Sequence, residues 1–293
     1  MPSFYQINYK WSCKIVEILA DLGVKDCCIS PGARNFPLIK AFADFKKINC
    51  TSHIDERSGS FFALGKSVIS SFPTVLVCTS GTAVANYFPA IIEASQNKIP
   101  LIILTADRPS ELIGTGSNQT INQKNIYNNY TRFFKDLGPP NKKTYNLEFY
   151  IEMAFRMSMG IDPHNNKTLP PGPVHVNIPF EDSFSSSNET ISENYISGED
   201  FSHYLTKNQN ELKIPKFKEA IIVCGRLNND KHSKDIIKLS EKINAPIFAD
   251  PLSQLRFGYK HKNIIDNYEF FIKDFKNDPD LVIRFGLKPV SKN

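Results

Sequence analysis

The sequence lacks the features that define several common classes of protein. No apolar run approaches the ~20 residues that a membrane-spanning helix needs, and residues 1–10 lack the apolar core of a signal peptide. The lysines are scattered, and a net charge of +5 is modest for 293 residues, whereas nucleic-acid-binding domains carry a concentrated basic patch. We therefore expect a cytoplasmic protein that neither inserts into a membrane nor binds nucleic acid.

Signatures of metal binding and of nucleophilic catalysis are also scarce. The six cysteines show no C-x-x-C spacing, which argues against a zinc site or a disulfide framework. Ser80-Gly81-Thr82 lacks the lysine of a P-loop, so it is weak support for phosphate binding. No Ser-His-Asp or Cys-His set stands out. His53 is expected to be structural, and His175, between two valines, is expected to be a satisfied core or interface residue.

What the sequence does contain is an alternation of short apolar runs with segments of helical periodicity. We predict strands over residues 26–30, 48–54, 74–79, 100–106, 133–137 and 174–178. We predict helices over residues 11–22, 36–45, 61–68, 83–95 and 147–159. Such alternation is typical of a parallel sheet with right-handed crossovers. The fold class is therefore α/β, and residues 1–182 are predicted to form the first domain.

A change of composition separates this domain from a second α/β pattern. Residues 183–213 are rich in Ser, Asn, Glu and Thr and poor in apolar residues, as in a linker. Strand-like runs return at 220–224, 246–249 and 281–285, with a helix-like segment at 236–243. Because the chain stops soon after the last run, residues 214–293 are expected to be a truncated second domain.

Loops with distinctive residues follow four of the predicted strands. Ligands of open parallel sheets bind beyond the carboxyl ends of the strands, and these loops would place Arg34, Glu56, Thr82 and Arg108 along one edge. Guanidinium groups bind carboxylates in bidentate fashion, and a glutamate can exchange a proton with a ring nitrogen. The alternative for Glu56 is a first-turn acid that only stabilises its helix. The alternative for each arginine is an ordinary surface residue or an ion pair with Asp55 or Asp107.

Seven motifs, spread in order over nearly the whole chain, resemble those of one enzyme family. They are Ser30-Pro-Gly-Ala-Arg34, His53-Ile-Asp-Glu-Arg57, Thr79-Ser-Gly-Thr-Ala-Val-Ala-Asn86, Leu104-Thr-Ala-Asp-Arg-Pro109 with Glu111-Leu112, Ser117-Asn-Gln119, Gly172-Pro-Val-His-Val-Asn177 and Leu281-Val-Ile-Arg-Phe-Gly286. The family is that of the 2-succinyl-5-enolpyruvyl-6-hydroxy-3-cyclohexene-1-carboxylate synthases, thiamine-diphosphate enzymes of menaquinone and phylloquinone biosynthesis. The resemblance implies a pyrimidine-binding domain over residues 1–182 and a middle domain over residues 214–293.

The resemblance also implies a role for particular residues. Glu56 would hydrogen-bond the aminopyrimidine ring and favour the imino tautomer that removes the thiazolium C2 proton. The carbanion would attack 2-oxoglutarate and, after carbon dioxide leaves, the product carbanion would add to isochorismate. Pyrimidine contacts are implied for Pro31, Thr82 and Asn86. Substrate contacts are implied for Arg34, Arg108, Asn118, Gln119 and Lys292. Ala33 departs from the family, many members of which have serine there.

The family's third domain carries a Gly-Asp-Gly motif followed by an asparagine, which hold Mg²⁺ and the diphosphate, and this motif is absent here. In the family, the site forms between the pyrimidine domain of one subunit and the diphosphate domain of another. We thus expect a homodimer or homotetramer through the pyrimidine domain, no metal ligands in this chain, and little activity alone. The alternatives are another thiamine-dependent 2-oxoacid decarboxylase or synthase, and a non-catalytic truncated relic.

Overall fold

Each of two units of the chain contains its own parallel sheet. The units are Met1–Thr206 and Lys207–Asn293, and the computed structural model describes residues 3–141, 145–162, 168–181, 214–274 and 278–290. The predicted linker, residues 183–213, lies outside the described residues, so the predicted domain boundaries stay a prediction. Across the described ranges, none of the helices combines the length and the apolar composition that crossing a bilayer requires.

Within its described residues, the first unit contains six strands and six α-helices. The strands are β1 (Asp26–Ile29), β2 (Asn49–Ser52), β3 (Thr74–Cys78), β4 (Leu101–Asp107), β5 (Phe133–Asp136) and β6 (Pro173–Pro179). The helices are α1 (Phe4–Asp21), α2 (Phe36–Asp44), α3 (Glu56–Ser70), α4 (Thr82–Asn86), α5 (Phe88–Gln96) and α6 (Tyr145–Ser158). The strand order is β2-β1-β3-β4-β6-β5, and every neighbouring pair is parallel. The loops after β2, β1, β3 and β4 therefore leave the same edge of the sheet in adjacent positions.

Helices cover both faces of this sheet. Every residue of β3 and β4 is buried, as expected for strands between two helical layers. Successive side chains of a strand point to opposite faces: Val75 and Val77 contribute to the apolar cluster with α1, α2 and α6, whereas Leu76 and Cys78 contribute to the cluster with α3, α4 and α5. The predicted parallel α/β fold is confirmed.

Two helices differ from the sequence-based prediction for local reasons. The single helix predicted over residues 83–95 is wrong: α4 ends at Asn86 and α5 begins at Phe88, because Pro89 could not donate to the carbonyl of residue 85 and its ring would clash there. The first helix starts at Phe4 rather than residue 11. Ser3 and Gln6 form a reciprocal capping box, with Ser3 N donating to Gln6 Oε1 at 2.9 Å and Gln6 N to Ser3 Oγ at 3.3 Å.

The second unit contains a smaller parallel sheet. Its elements are β7 (Ala220–Cys224), α7 (Ser233–Lys242), β8 (Ile247–Ala249), β9 (Ile264–Ile265) and β10 (Leu281–Phe285), in the strand order β10-β7-β8-β9. The loops after β7 and β10 approach closely, because a Cβ on Gly225 would lie 1.8 Å from the carbonyl oxygen of Leu287. The predicted second α/β pattern is thus present.

Candidate active site

Glu56 is the first residue of α3, just beyond the loop that follows β2. The preceding Asp55 is the N-cap, and its Oδ1 accepts hydrogen bonds from the backbone N–H groups of Arg57 (2.8 Å) and Ser58 (3.1 Å). Asp55 therefore satisfies the exposed donors of the first turn. Within the described ranges the half-buried Glu56 carboxylate forms no hydrogen bond or ion pair. Burial and, secondly, the charge of Glu56 raise the pKa of the Cys78 thiol at the end of β3.

The loop after β1 is held against the end of β3. A Cβ on Gly32 would lie 2.5 Å from Thr79 Cβ, so only glycine permits this approach of the two loops. Pro31, before it, is exposed. The guanidinium of Arg34 is half-buried, and its Nη1 donates to the carbonyl oxygen of Phe180 at 2.8 Å.

The loop after β3 leads into the short helix α4. Gly81 is the N-cap residue of α4 with φ +82°, a backbone conformation that favours glycine. Its N–H donates to Oε1 of Gln123 at 2.8 Å. Thr82 and Asn86 are four residues apart and so share one face of the helix, and both are exposed. The two predicted pyrimidine contacts therefore lie together on the exposed face of α4.

Two of the predicted substrate residues, Arg108 and Gln119, contact each other. Nη1 of Arg108 donates to the carbonyl oxygen of Gln119 at 2.8 Å and also to the hydroxyl of Ser80. Nε2 of Gln119 donates in turn to the carbonyl oxygen of Ser80 at 3.0 Å. The structure thus joins the loops after β3 and β4 through the segment that contains Gln119.

Two predicted substrate residues remain, Asn118 and Lys292. Asn118 is exposed, and its carbonyl oxygen accepts from the hydroxyl of Thr120 at 3.1 Å. Lys292 lies outside the described residues. A cavity of about 50 Å³ lies beside Arg108, and Lys124 and Asp136 are among the residues that line it. It has room for a water molecule or two. It is too small for a dicarboxylate.

Sequence reasoning missed a buried hydrogen-bond network beneath these loops. Its members are Gln123, Asn177, Asp107 and Thr105, all fully or almost fully buried. Burial raises the pKa of Asp107, partly offset by the hydrogen bond from Asn177. Asn177 and Asp107 belong to motifs in the sequence but have no predicted role there, and Gln123 sits in an irregular segment without periodicity. The available signal was an amide-rich stretch, Asn118 to Gln123, which begins with two predicted site residues.

The two histidines singled out in the sequence contact neighbouring side chains. His53 accepts or donates a hydrogen bond with the hydroxyl of Thr51 (3.2 Å) and its ring contacts Phe62. His175 is fully buried in β6, and its Nε2 lies 2.7 Å from the hydroxyl of Thr105. The expectation of a core residue is confirmed, but the expectation that its hydrogen bonds are satisfied is wrong. The buried Nδ1 has no hydrogen-bond partner within the described part of the chain.

Comparison with known proteins identifies the relatives of this chain. Residues 11–126 match the family described as thiamine pyrophosphate enzyme, N-terminal TPP binding domain. The chain is 38% identical over 292 residues to the 2-succinyl-5-enolpyruvyl-6-hydroxy-3-cyclohexene-1-carboxylate synthase of Geobacillus thermodenitrificans, covering 94% of this chain and 49% of that enzyme. The synthase of Bacillus pumilus is 34% identical, covering 98% of this chain and 51% of that enzyme. The synthase of Lactococcus lactis is 38% identical, covering 94% of this chain and 51% of that enzyme. The resemblance is confirmed, and the chain spans about half the length of these curated relatives.

Proposed function

Because the chain carries the N-terminal TPP binding domain of a thiamine pyrophosphate enzyme, we propose that it is the pyrimidine-binding and middle part of a 2-succinyl-5-enolpyruvyl-6-hydroxy-3-cyclohexene-1-carboxylate synthase. The reaction would be decarboxylation of 2-oxoglutarate and addition of the remaining four-carbon unit to isochorismate. The observation that carries the proposal is the half-buried Glu56 carboxylate, which has no partner within the described ranges, at the edge where Thr82 and Asn86 are exposed.

The residues at this edge fit the pyrimidine ring of thiamine diphosphate. An aminopyrimidine offers ring nitrogens and an exocyclic amine, and these need one carboxyl group and a few neutral donors and acceptors. Glu56 supplies the carboxyl group, Thr82 a hydroxyl and Asn86 an amide. When bound, thiamine diphosphate supplies a thiazolium carbon that adds to a 2-oxoacid after losing its proton. In this chain, Glu56 would hold a proton against the ring and so act as the general acid and base.

The arginines at the same edge suit anionic substrates. Arg34 and Arg108 follow β1 and β4, on either side of β3, and both guanidinium groups are already oriented by hydrogen bonds to backbone carbonyls. Such orientation lowers the entropic cost of binding a carboxylate. We propose that they bind carboxylates of 2-oxoglutarate and isochorismate, with Asn118, Gln119 and Lys292 as further substrate contacts.

Completion of the site would require a second chain. Pro31, Thr82 and Asn86 are exposed, and the neighbouring Ile54 is 94% exposed, so this edge is open to a partner subunit. Among the residues that the structure describes, no group of three or more His, Cys, Asp or Glu could hold a metal ion. We therefore propose that Mg²⁺ and the diphosphate bind a domain of a partner subunit in a homodimer or homotetramer.

Replacement of Glu56 by glutamine tests the proposed chemistry. In the complete enzyme, Glu56→Gln keeps the size of the side chain but removes the group that exchanges a proton. We expect a loss of turnover of about 10²–10⁴-fold and an unchanged unfolding temperature. Glu93→Gln, on the exposed side of α5, is the matched control and should retain full turnover. Equal turnover of the two variants would refute the role of Glu56.

Product analysis separates the proposed reaction from that of another thiamine-dependent enzyme. With 2-oxoglutarate and isochorismate together, the proposed enzyme forms a product that contains carbon from both substrates. A simple 2-oxoacid decarboxylase would release an aldehyde from 2-oxoglutarate alone, and isochorismate would not alter its product.

A further inference from the structure

The side chain of Gln123 is fully buried and uses both ends of its amide. Its Oε1 accepts the hydrogen bond from the N–H of Gly81 at 2.8 Å. Its Nε2 donates to the carbonyl oxygen of Ala106 at 3.1 Å and to Oδ1 of Asn177 at 3.0 Å. One acceptor faces a donor and two donors face acceptors, an arrangement that only a correctly oriented amide satisfies.

Asn177 extends these contacts to the next loop. Its Oδ1 also accepts from the hydroxyl of Thr105 at 2.8 Å. Its Nδ2 donates to Oδ2 of Asp107 at 2.9 Å, and Oδ1 of Asp107 accepts from the backbone N–H of Arg108 at 2.8 Å. A continuous buried path of hydrogen bonds therefore runs from Gly81, just before Thr82, to Arg108.

This path links the two halves of the candidate active site. Gly81 is the N-cap residue of α4 and has a positive φ and no side chain to cap the helix, so Gln123 supplies the hydrogen bond that anchors the residue just before the helix. We propose that Gln123 is a positioning residue, which sets the loop that begins α4, and hence Thr82, relative to the loop that carries Arg108. The inference rests on the proposed function, because it assigns cofactor contacts to one loop and substrate contacts to the other.

The physical basis is the cost of leaving buried polar groups without partners. Replacement of Gln123 by alanine would leave the Gly81 N–H without its partner and remove one donor each from Ala106 O and Asn177 Oδ1. A buried polar group that loses its hydrogen bond is destabilised enough to change a local equilibrium about tenfold. We expect the loop to open more often while the sheet stays intact, because the strands keep their own backbone hydrogen bonds.

Hydrogen exchange tests the anchoring without any catalytic assay. In the complete, cofactor-free protein, Gln123→Ala should raise amide exchange in the peptide spanning residues 80–87 about tenfold. The control is Ile151→Ala, a buried change in α6 on the other face of the sheet, which lowers global stability without touching Gly81. Exchange in this peptide that is no faster in Gln123→Ala than in Ile151→Ala would overturn the proposal.

A second variant tests the orientation of the amide. In Gln123→Glu, the protonated carboxyl group can still accept from Gly81 and donate to one carbonyl oxygen, whereas the ionised group faces two oxygens with no proton to offer. The ratio of its exchange to that of the wild type should therefore stay near one at low pH and rise towards the value of Gln123→Ala at high pH. A ratio independent of pH would contradict the assigned hydrogen bonds.

Binding of thiamine diphosphate with Mg²⁺, measured by calorimetry on the complete protein, provides the functional readout. The dissociation constant should rise about tenfold in Gln123→Ala and stay unchanged in Ile151→Ala. Faster loop exchange with an unchanged dissociation constant would overturn the positioning role. If the wild-type protein bound no thiamine diphosphate, the proposed function would fail, and the exchange comparison would still decide whether Gln123 anchors the loop.

Discussion

Arg34, which follows β1, forms a hydrogen bond with Phe180, which follows β6, although β3 and β4 lie between those two strands in the sheet. Nη1 of Arg34 donates to the carbonyl oxygen of Phe180 at 2.8 Å. The guanidinium is thereby held at the edge of the sheet by a contact to backbone, and it offers five donors in a fixed plane.

The first prediction concerns that geometry. Arg34→Lys keeps the positive charge but replaces a planar fork by a single ammonium group, which cannot hold Phe180 and a carboxylate in the same way. We expect kcat/KM for 2-oxoglutarate to fall at least about tenfold in the complete enzyme. Arg284→Lys, on the exposed side of β10, is the matched control. A loss of the same size in both variants would show that the effect does not depend on the position of the Arg34 guanidinium.

The second prediction is that alanine has opposite effects on stability at two glycines of the first unit. In Gly32→Ala the new Cβ would meet Thr79 at 2.5 Å, so the two loops must move apart, at a cost of about 1–3 kcal/mol. In Gly65→Ala, inside α3, nothing lies within 4 Å of the new Cβ, and alanine should stabilise the helix by about 0.5–1 kcal/mol. Urea unfolding measures both. Shifts of the same sign would mean that the contact with Thr79 does not constrain the loop.

The third prediction is a dependence of stability on pH. Burial lowers the pKa of His175 from 6.5 to about 3, so the unfolded chain binds a proton that the folded chain excludes. The free energy of unfolding must therefore fall as the pH drops from about 6.5 towards 3. The contribution is about 1.4 kcal/mol per pH unit, or about 2 kcal/mol by pH 5.

Urea unfolding at several pH values between 7 and 5 would measure this slope. His175→Gln removes the titrating group, so the pH dependence should become flatter even if the variant is less stable at pH 7. His232→Gln, at the exposed start of α7, is the control. A wild-type slope that survives in His175→Gln would assign the pH dependence to other groups.

The fourth prediction concerns the cysteines. A hydrogen bond from the neighbouring Cys27 and, more weakly, the charge of Lys46 lower the pKa of the exposed Cys50 thiol, although its partial burial opposes this. Burial raises the pKa of Cys27, Cys28, Cys78 and Cys224. Because the thiolate is the nucleophile, iodoacetamide should modify Cys50 before the other five cysteines, as followed by peptide mass spectrometry. Lys46→Gln should slow that modification, and earlier labelling of any buried cysteine would contradict the structure.

The sequence predicted the fold where a single physical signal dominated. β3 and β4 are continuous apolar runs because both faces of the sheet are covered, and such runs are easily read. β9, with two residues, offers no period and was missed. The break between α4 and α5 depends on one proline, whose effect was hidden by an otherwise apolar and small-residue helix pattern.

From the strand pattern, the candidate site could be predicted only for residues that follow the ends of strands. Parallel strands bring their carboxyl ends to one edge, which was enough to group Arg34, Glu56, Thr82 and Arg108. The role of Gln123 could not be derived in this way, because it lies 42 residues from Gly81 in the chain and in no regular element. Contacts of that kind depend on how loops fold over the edge, and neither periodicity nor spacing records them.

Under the proposed function, the adjacent carboxylates Asp55 and Glu56 have different roles: Asp55 stabilises the fold and Glu56 takes part in the chemistry. Asp55 is engaged by two backbone N–H groups, so a library screened for folded protein would retain Asn, Ser or Thr there, all of which cap helices. The same screen would retain many different residues at position 56. A subsequent screen for turnover would reverse the pattern, tolerating the capping substitutes and retaining only glutamate one residue later.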